Sequence, residues 1–180
     1  MTDASHNELP MLLEAVRRDR SEGRLADARA RLDKALQRYT GADQSNDRIA
    51  VLKALAQIER DLGQLSRAQE LLEQATALCR QGPDKVRLAH TLRHLGDVLQ
   101  AQGRADDAMA HLAEAMAVYR GAPDTGQLDL ANALRSLALQ YELLGQSAPA
   151  LACWREASEL YMHANVAAGV AECLQHLRRP

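Results

Sequence analysis

The sequence predicts an all-α protein of four tandem helical hairpins followed by one further helix, nine helices in all. Three observations carry this expectation. A string of the form Gly-x4-Ala occurs at Gly23–Ala28, Gly63–Ala68, Gly103–Ala108 and Gly145–Ala150, with the glycines 40, 40 and 42 residues apart. Apolar residues on both sides of each glycine keep helical spacing to it. No segment shows the period-two alternation of a half-buried strand. A fixed period of this length marks a repeat architecture, in which no unit can bury its apolar face alone.

The second helix of each pair is read from offsets downstream of the glycine. Positions +5, +9, +12 and +16 hold Ala28, Leu32, Ala35 and Tyr39 in the first repeat, and Ala68, Leu72, Ala75 and Cys79 in the second. The third holds Ala108, Leu112, Ala115 and Tyr119, and the fourth Ala150, Trp154, Ala157 and Tyr161. Steps of four, three and four trace one face of a helix. The first helix is read upstream. Positions −11 and −8 hold Leu12 and Ala15, Leu52 and Leu55, Leu92 and Leu95, then Leu134 and Leu137. Glycine suits the join, because it takes positive φ just beyond a helix C-terminus. The alanine at +5 falls where the two helices cross, and axes approach to about 8 Å only over small residues.

The predicted helices span 8–22 and 25–39, 47–62 and 65–80, 84–102 and 105–120, and 127–144 and 147–163. A last helix, 165–178, carries Leu174 and Leu177 in the phase of the first-helix leucines and reads as a capping half-repeat. The repeats lie at about 8–40, 47–80, 84–120 and 127–163 of a single domain, 8–178, after a flexible N-terminus, 1–7. Connections fall at Gly41 to Asp47, at Gly82-Pro83-Asp84 and at Gly121 to Asp124, where turn residues cluster. Asp47 and Asp84 are the expected N-caps.

Composition narrows the function. The chain has 180 residues, 22 Lys and Arg against 24 Asp and Glu, no Phe, one Trp and four Tyr. A net charge of −2 excludes a polybasic nucleic-acid coat, and so few rings exclude a base-stacking surface. Cys79, Cys153 and Cys173 have no zinc spacing and fit reduced thiols. The polar start, Met1 to Asn7, is unlike a secretory leader, and no run of about 18 apolar residues could cross a membrane. The expected location is cytoplasmic, with neither nucleic acid nor membrane as partner.

The third and fourth repeats resemble the tetratricopeptide repeat. Leu92-x2-Leu95-Gly96-x2-Leu99 with Ala108-x3-Leu112 is similar to the pattern W-x2-L-G-x2-Y…A-x3-F, and Leu134-x2-Leu137-Ala138-x2-Tyr141 with Ala150-x3-Trp154 repeats it. The second repeat fits through Leu52, Leu55, Ala56, Gly63, Ala68 and Leu72. The first is the weakest, with Asp19 where a ring is usual. The usual period is 34, and here it is 40 to 42. Pro83 and Pro123 lie three residues beyond the usual proline place. This looks like the long-period variant of kinesin light chains. The resemblance implies a right-handed α-solenoid whose first helices line a concave groove, and a non-catalytic role in protein binding.

On that model the groove columns follow from the phase of the first helices. Ten residues before the turn glycines stand Leu13, Lys53, Arg93 and Arg135, with Gln175 in the matching place of the last helix. Lys53, Arg93 and Arg135 are expected to anchor an acidic peptide segment, because cations in series repel until an anion lies along them. His90, Asn132, Arg17, Arg60 and Asp97 complete the expected peptide-binding set. The same cations also read as solvated charge compensated by Asp97 and Glu142. The asparagine places of the family's two-carboxylate clamp hold Arg17 and Gln57, so that specificity is not implied.

Other constellations are weaker. His90, His94 and Asp97 share one helical face, a spacing that suits a metal but lacks a fourth ligand. Cys173 and His176 are close in sequence, with no oxyanion-hole element beside them. The tyrosines and Trp154 fall at packing offsets. The expectation is therefore no enzyme, no catalytic residue, no metal and no cofactor. A homodimer through the apolar first helix (Leu9, Met11, Leu12, Leu13) is the second reading.

Overall fold

The computed structural model describes residues 8–41, 44–122 and 125–178. Among these there are nine helices and no strand. They are α1 (Glu8–Ser21), α2 (Leu25–Arg38), α3 (Ser45–Asp61), α4 (Leu65–Gln81), α5 (Lys85–Ala101), α6 (Ala105–Gly121), α7 (Gln127–Leu143), α8 (Ser147–His163) and α9 (Ala167–Leu177). Every predicted helix is present, with ends within about two residues of those expected. Met1 to Asn7, Ala42 and Asp43, Pro123 and Asp124, and Arg179 and Pro180 lie outside the described residues. The helices pack as two compact units, Met1–Gln81 and Gly82–Pro180.

In the first unit α1 packs on α2 and α3, α2 on α3, and α3 on α4. Leu32, Leu52, Leu55, Ile58, Leu71 and Leu72 form the core, and Ala28 and Ala68 are fully buried at the expected crossings. Each such leucine contributes about 1.5–3 kcal/mol by leaving water. The site four residues before the turn glycine, where a ring is usual, is acidic in both hairpins. Buried Asp19 accepts hydrogen bonds from Arg24 (2.7 and 3.0 Å) and Arg31 (2.9 Å). The Arg24 hydrogen bonds hold its carboxyl below the usual value against the opposing effect of burial, and Arg31 adds to the lowering. Glu59, 1% exposed, meets Arg29 at 2.9 Å, and its second carboxylate oxygen has no protein partner. Arg24, just before α2, and Arg29 and Arg31 within it thus serve where apolar packing would otherwise be needed.

In the second unit α5 packs on α6 and α7, α6 on α7, α7 on α8, and α8 on α9. Leu92, Leu99, Leu112, Tyr119, Leu134, Trp154 and Tyr161 fill this core, with Ala108 and Ala150 at the crossings. Gln140 is buried, and its side-chain amide donates to the Ala105 carbonyl at 2.8 Å, which ties α7 to the start of α6.

The turns explain the period. Gly23, Gly63, Gly103 and Gly145 have φ of 75°, 76°, 77° and 69°. In each the glycine N–H returns to the carbonyl three residues back, as from Gly63 to Arg60 (2.9 Å). The next N–H returns five residues, as from Gln64 to Glu59 (2.8 Å). This paired closure lets a helix stop and reverse within two residues. A fifth copy joins α8 to α9 at Asn165, φ 57°, with Asn165 N–H to Met162 (3.1 Å) and Val166 N–H to Tyr161 (2.9 Å). The last helix therefore begins at Ala167 and not at 165. Its inward face is Gly169, Cys173 and His176, whereas Leu174 is 41% exposed. Leu174 thus keeps the leucine phase without packing as the earlier leucines do. Gly169 is required by a close approach, since a Cβ there would lie 2.6 Å from the Tyr161 ring.

Asp84 caps α5 as expected, accepting the Arg87 N–H at 2.8 Å. Asp47 does not cap α3. That helix starts at Ser45, with Gln44 at the N-cap, so Asp47 sits inside the first turn, where its charge favours the helix dipole. The Arg87 N–H and then the Arg87 charge hold the Asp84 carboxyl low, against burial. Its contribution is present above the unfolded carboxylate value and is lost as pH falls through the depressed folded one. Asp84→Ala is expected to cost about 1 kcal/mol at pH 7 and progressively less toward pH 3, measured by urea denaturation.

Candidate peptide-binding site

The first helices α3, α5 and α7 each present half-buried polar residues beside buried leucines. In the first unit α3 supplies Lys53, Gln57 and Arg60, all half-buried, and α1 supplies Arg17, which is exposed and paired with Glu14. Arg20 clasps Asp61 through its guanidinium, and Gln57 donates to the same carboxylate at 2.9 Å.

In the second unit α5 supplies His90, Arg93, His94 and Asp97, and α7 supplies Asn132 and Arg135. Arg93 is largely buried. Its Nη1 donates to Asp97 at 3.1 Å, its Nη2 lies 3.0 Å from His94 Nε2, and its Nε has no protein partner. His90 stands edge-on to Tyr119, ring centres 5.5 Å apart, with Asp129 at 3.4 Å from its Nε2. Burial pushes the Tyr119 phenol up to about 12, with Arg93 partly opposing. Asn132 accepts the Tyr161 hydroxyl at 2.8 Å, and burial raises that phenol to about 12 as well. Arg135 makes two parallel bonds of 2.7 Å, from Nε and Nη2, to the Glu172 carboxylate of α9. The Glu172 hydrogen bonds and charge hold this guanidinium's pKa above its ordinary value, against burial.

The compensating charges differ from those read in the sequence. Asp97 does meet Arg93. Glu142 is engaged elsewhere: it accepts from Trp154 Nε1 at 2.7 Å and lies 2.8 and 3.0 Å from His176 Nδ1, while the His176 ring stacks on the indole at 4.1 Å. Glu172, which the phase analysis did not single out, is the partner of Arg135, and the expected Gln175 is exposed.

The weaker constellations are engaged in other ways. His94 and Asp97 both turn to Arg93, and His90 to Asp129. No three His, Cys, Asp or Glu groups converge as a metal site among the described residues. Cys173 is buried and its thiol is raised by burial, then by Glu172, while His176 is bound to Glu142. Among the described residues no helix is long and apolar enough to cross a membrane. Chemically, the face offers guanidinium and imidazole donors backed by carboxylates, which suits reversible ionic recognition.

Tandem helical hairpins closed by αL turns, with polar columns on their first helices, define an all-α repeat protein of the solenoid class. The tetratricopeptide repeat model matches residues 19–81 and 87–163, and the chain belongs to that family. The fold is of the kinesin-light-chain-like type. BtubC (BKLC) from P. vanneervenii is similar at a TM-score of 0.74 and 15% identity, over 97% of this chain and 82% of that one. A kinesin-light-chain-like protein of nearly identical TPR-like repeats from Podosopora anserina is similar at a TM-score of 0.61 and 24% identity, over 99% and 96%. A form of that protein carrying a glutamine-to-methionine substitution gives 0.57 and 22%, over 94% and 92%. No curated protein matches the chain. The tetratricopeptide repeat generally mediates protein–protein interaction and is typically non-catalytic.

Proposed function

We propose that this protein is a non-catalytic interaction module of the cytoplasm that binds an acidic peptide segment of a partner in the groove lined by its first helices. Arg93, Arg135, His90 and Asn132 of the second unit make the contacts; Lys53, Arg17 and Arg60 are the corresponding candidates on the first helices of the first unit, taken by itself. Asp97 orients Arg93. One observation carries the reading. Arg135 is 37% exposed and its Nε/Nη2 fork is already engaged by a carboxylate, that of Glu172, the same group that an acidic peptide offers.

The test is fluorescence anisotropy with a labelled Glu-rich decapeptide and its Lys-rich counterpart. The acidic peptide should bind alone, and more weakly as salt rises toward about 0.5 M. Arg93→Gln should cost about 1–3 kcal/mol of binding. Joint reversal of Arg93 and Arg135 to Glu should abolish it. Equal affinity of that charge-reversed variant would remove the reading.

A homodimerising scaffold is the second reading, favoured by large apolar side chains left in solvent: Met11 and Leu143 (65% exposed each), Met162 (52%) and Leu174. Sedimentation at rising concentration separates the two.

A further inference from the structure

Arg135 and Glu172 make a fork-to-fork pair, the geometry in which a guanidinium best accepts a carboxylate. A ligand carboxylate seeking that fork finds it filled. We propose that Glu172 is a built-in competitor: α9 presents, within the same chain, the chemical group that the basic column takes from a partner. This rests on the acidic-peptide reading above and adds a regulatory element to it.

The structure around α9 makes the exchange local. Glu172 has a side chain 31% exposed, so it can swing into water without crossing the core. The helix itself is held by other ties. Cys173 is fully buried, Gly169 lies against the Tyr161 ring, and His176 is fixed by Glu142 and by its stack on Trp154. Glu172 can therefore leave Arg135 while α9 stays docked. The apparent dissociation constant is then the intrinsic one divided by the fraction of time that the fork stands open. A pair closed about nine-tenths of the time weakens the ligand about tenfold.

The experiment titrates the same Glu-rich decapeptide into the wild-type chain, Glu172→Gln, and the double variant Arg135→Gln/Glu172→Gln. Trp154 emission is recorded throughout. The chain has a single tryptophan, and it stacks on His176 of α9, so its spectrum reports docking of that helix. The expected result is about tenfold tighter binding by Glu172→Gln, unchanged Trp154 emission, and loss of the gain in the double variant. Equal affinity of Glu172→Gln and wild type overturns the competitor role and leaves the peptide reading standing. A gain that survives in the double variant also overturns it, because it then does not pass through Arg135. A gain accompanied by a shifted Trp154 spectrum means undocking of α9, which equally overturns it. Failure of all three proteins to bind at low salt overturns the peptide reading itself.

Discussion

Trp154→Ala is expected to destabilise the second unit by about 3–5 kcal/mol, the range for deleting a fully buried aromatic side chain. The indole does three things at once. It fills the core between α7 and α8, donates from Nε1 to Glu142, and supplies the surface on which His176 lies. Removing it leaves a cavity, takes one donor from Glu142 and leaves an imidazole without its ring partner. Trp154→Phe should keep most of the packing and lose the N–H bond, at a cost nearer about 1.5–3 kcal/mol, the usual worth of a bond to a charged group. Urea denaturation followed by circular dichroism separates the two variants. Hydrogen exchange should show α9 losing protection before α5 in the alanine form. A midpoint for Trp154→Ala equivalent to less than about 1 kcal/mol would contradict this account of the core.

Arg29→Ala is expected to cost about 3 kcal/mol in the first unit, far more than its own exposure of 46% suggests. The loss arises at the other end of the bond. Glu59 is buried, and Arg29 is the cation bound to its Oε1, while Oε2 has no protein partner. Truncating the arginine leaves a carboxylate in the core without compensation, whereas truncating both members does not. Arg29→Ala with Glu59→Leu should therefore recover most of the stability. Denaturant midpoints of the two single variants and the double variant give the coupling directly. Additive costs would show that the pair carries no special weight.

Regular features were the legible ones. The turn glycines index every helix except the last, so helix ends and the buried Ala28, Ala68, Ala108 and Ala150 followed from spacing. The same index placed Trp154, Tyr119 and Tyr161 in the core. Legibility failed where the index stopped. Asn165 performs the glycine's job at φ 57°, and asparagine is the usual alternative in that conformation. The residues His163-Ala-Asn165 carried that signal unread. Without a downstream glycine, the phase of α9 was set from Leu174 and Leu177, and the buried Gly169-Cys173-His176 face was missed. Glu172 and its bond to Arg135 went with it. Asp19 reads from the sequence only as a departure from the pattern, because its role depends on arginines five and twelve residues away that fold back to it. Asp47 failed as a cap because helix α3 begins earlier, at Ser45, a start that periodicity alone does not resolve.

The inward seat of Cys173 gives the molecule a clock. Its sulfur is sealed under the last helix, and burial discourages the thiolate on which alkylating reagents depend. Labelling at this position must wait for a momentary breach, so its rate measures how often that end of the chain lifts. Cys153, partly accessible on α8, supplies a second rate from the same sample against which the first is timed.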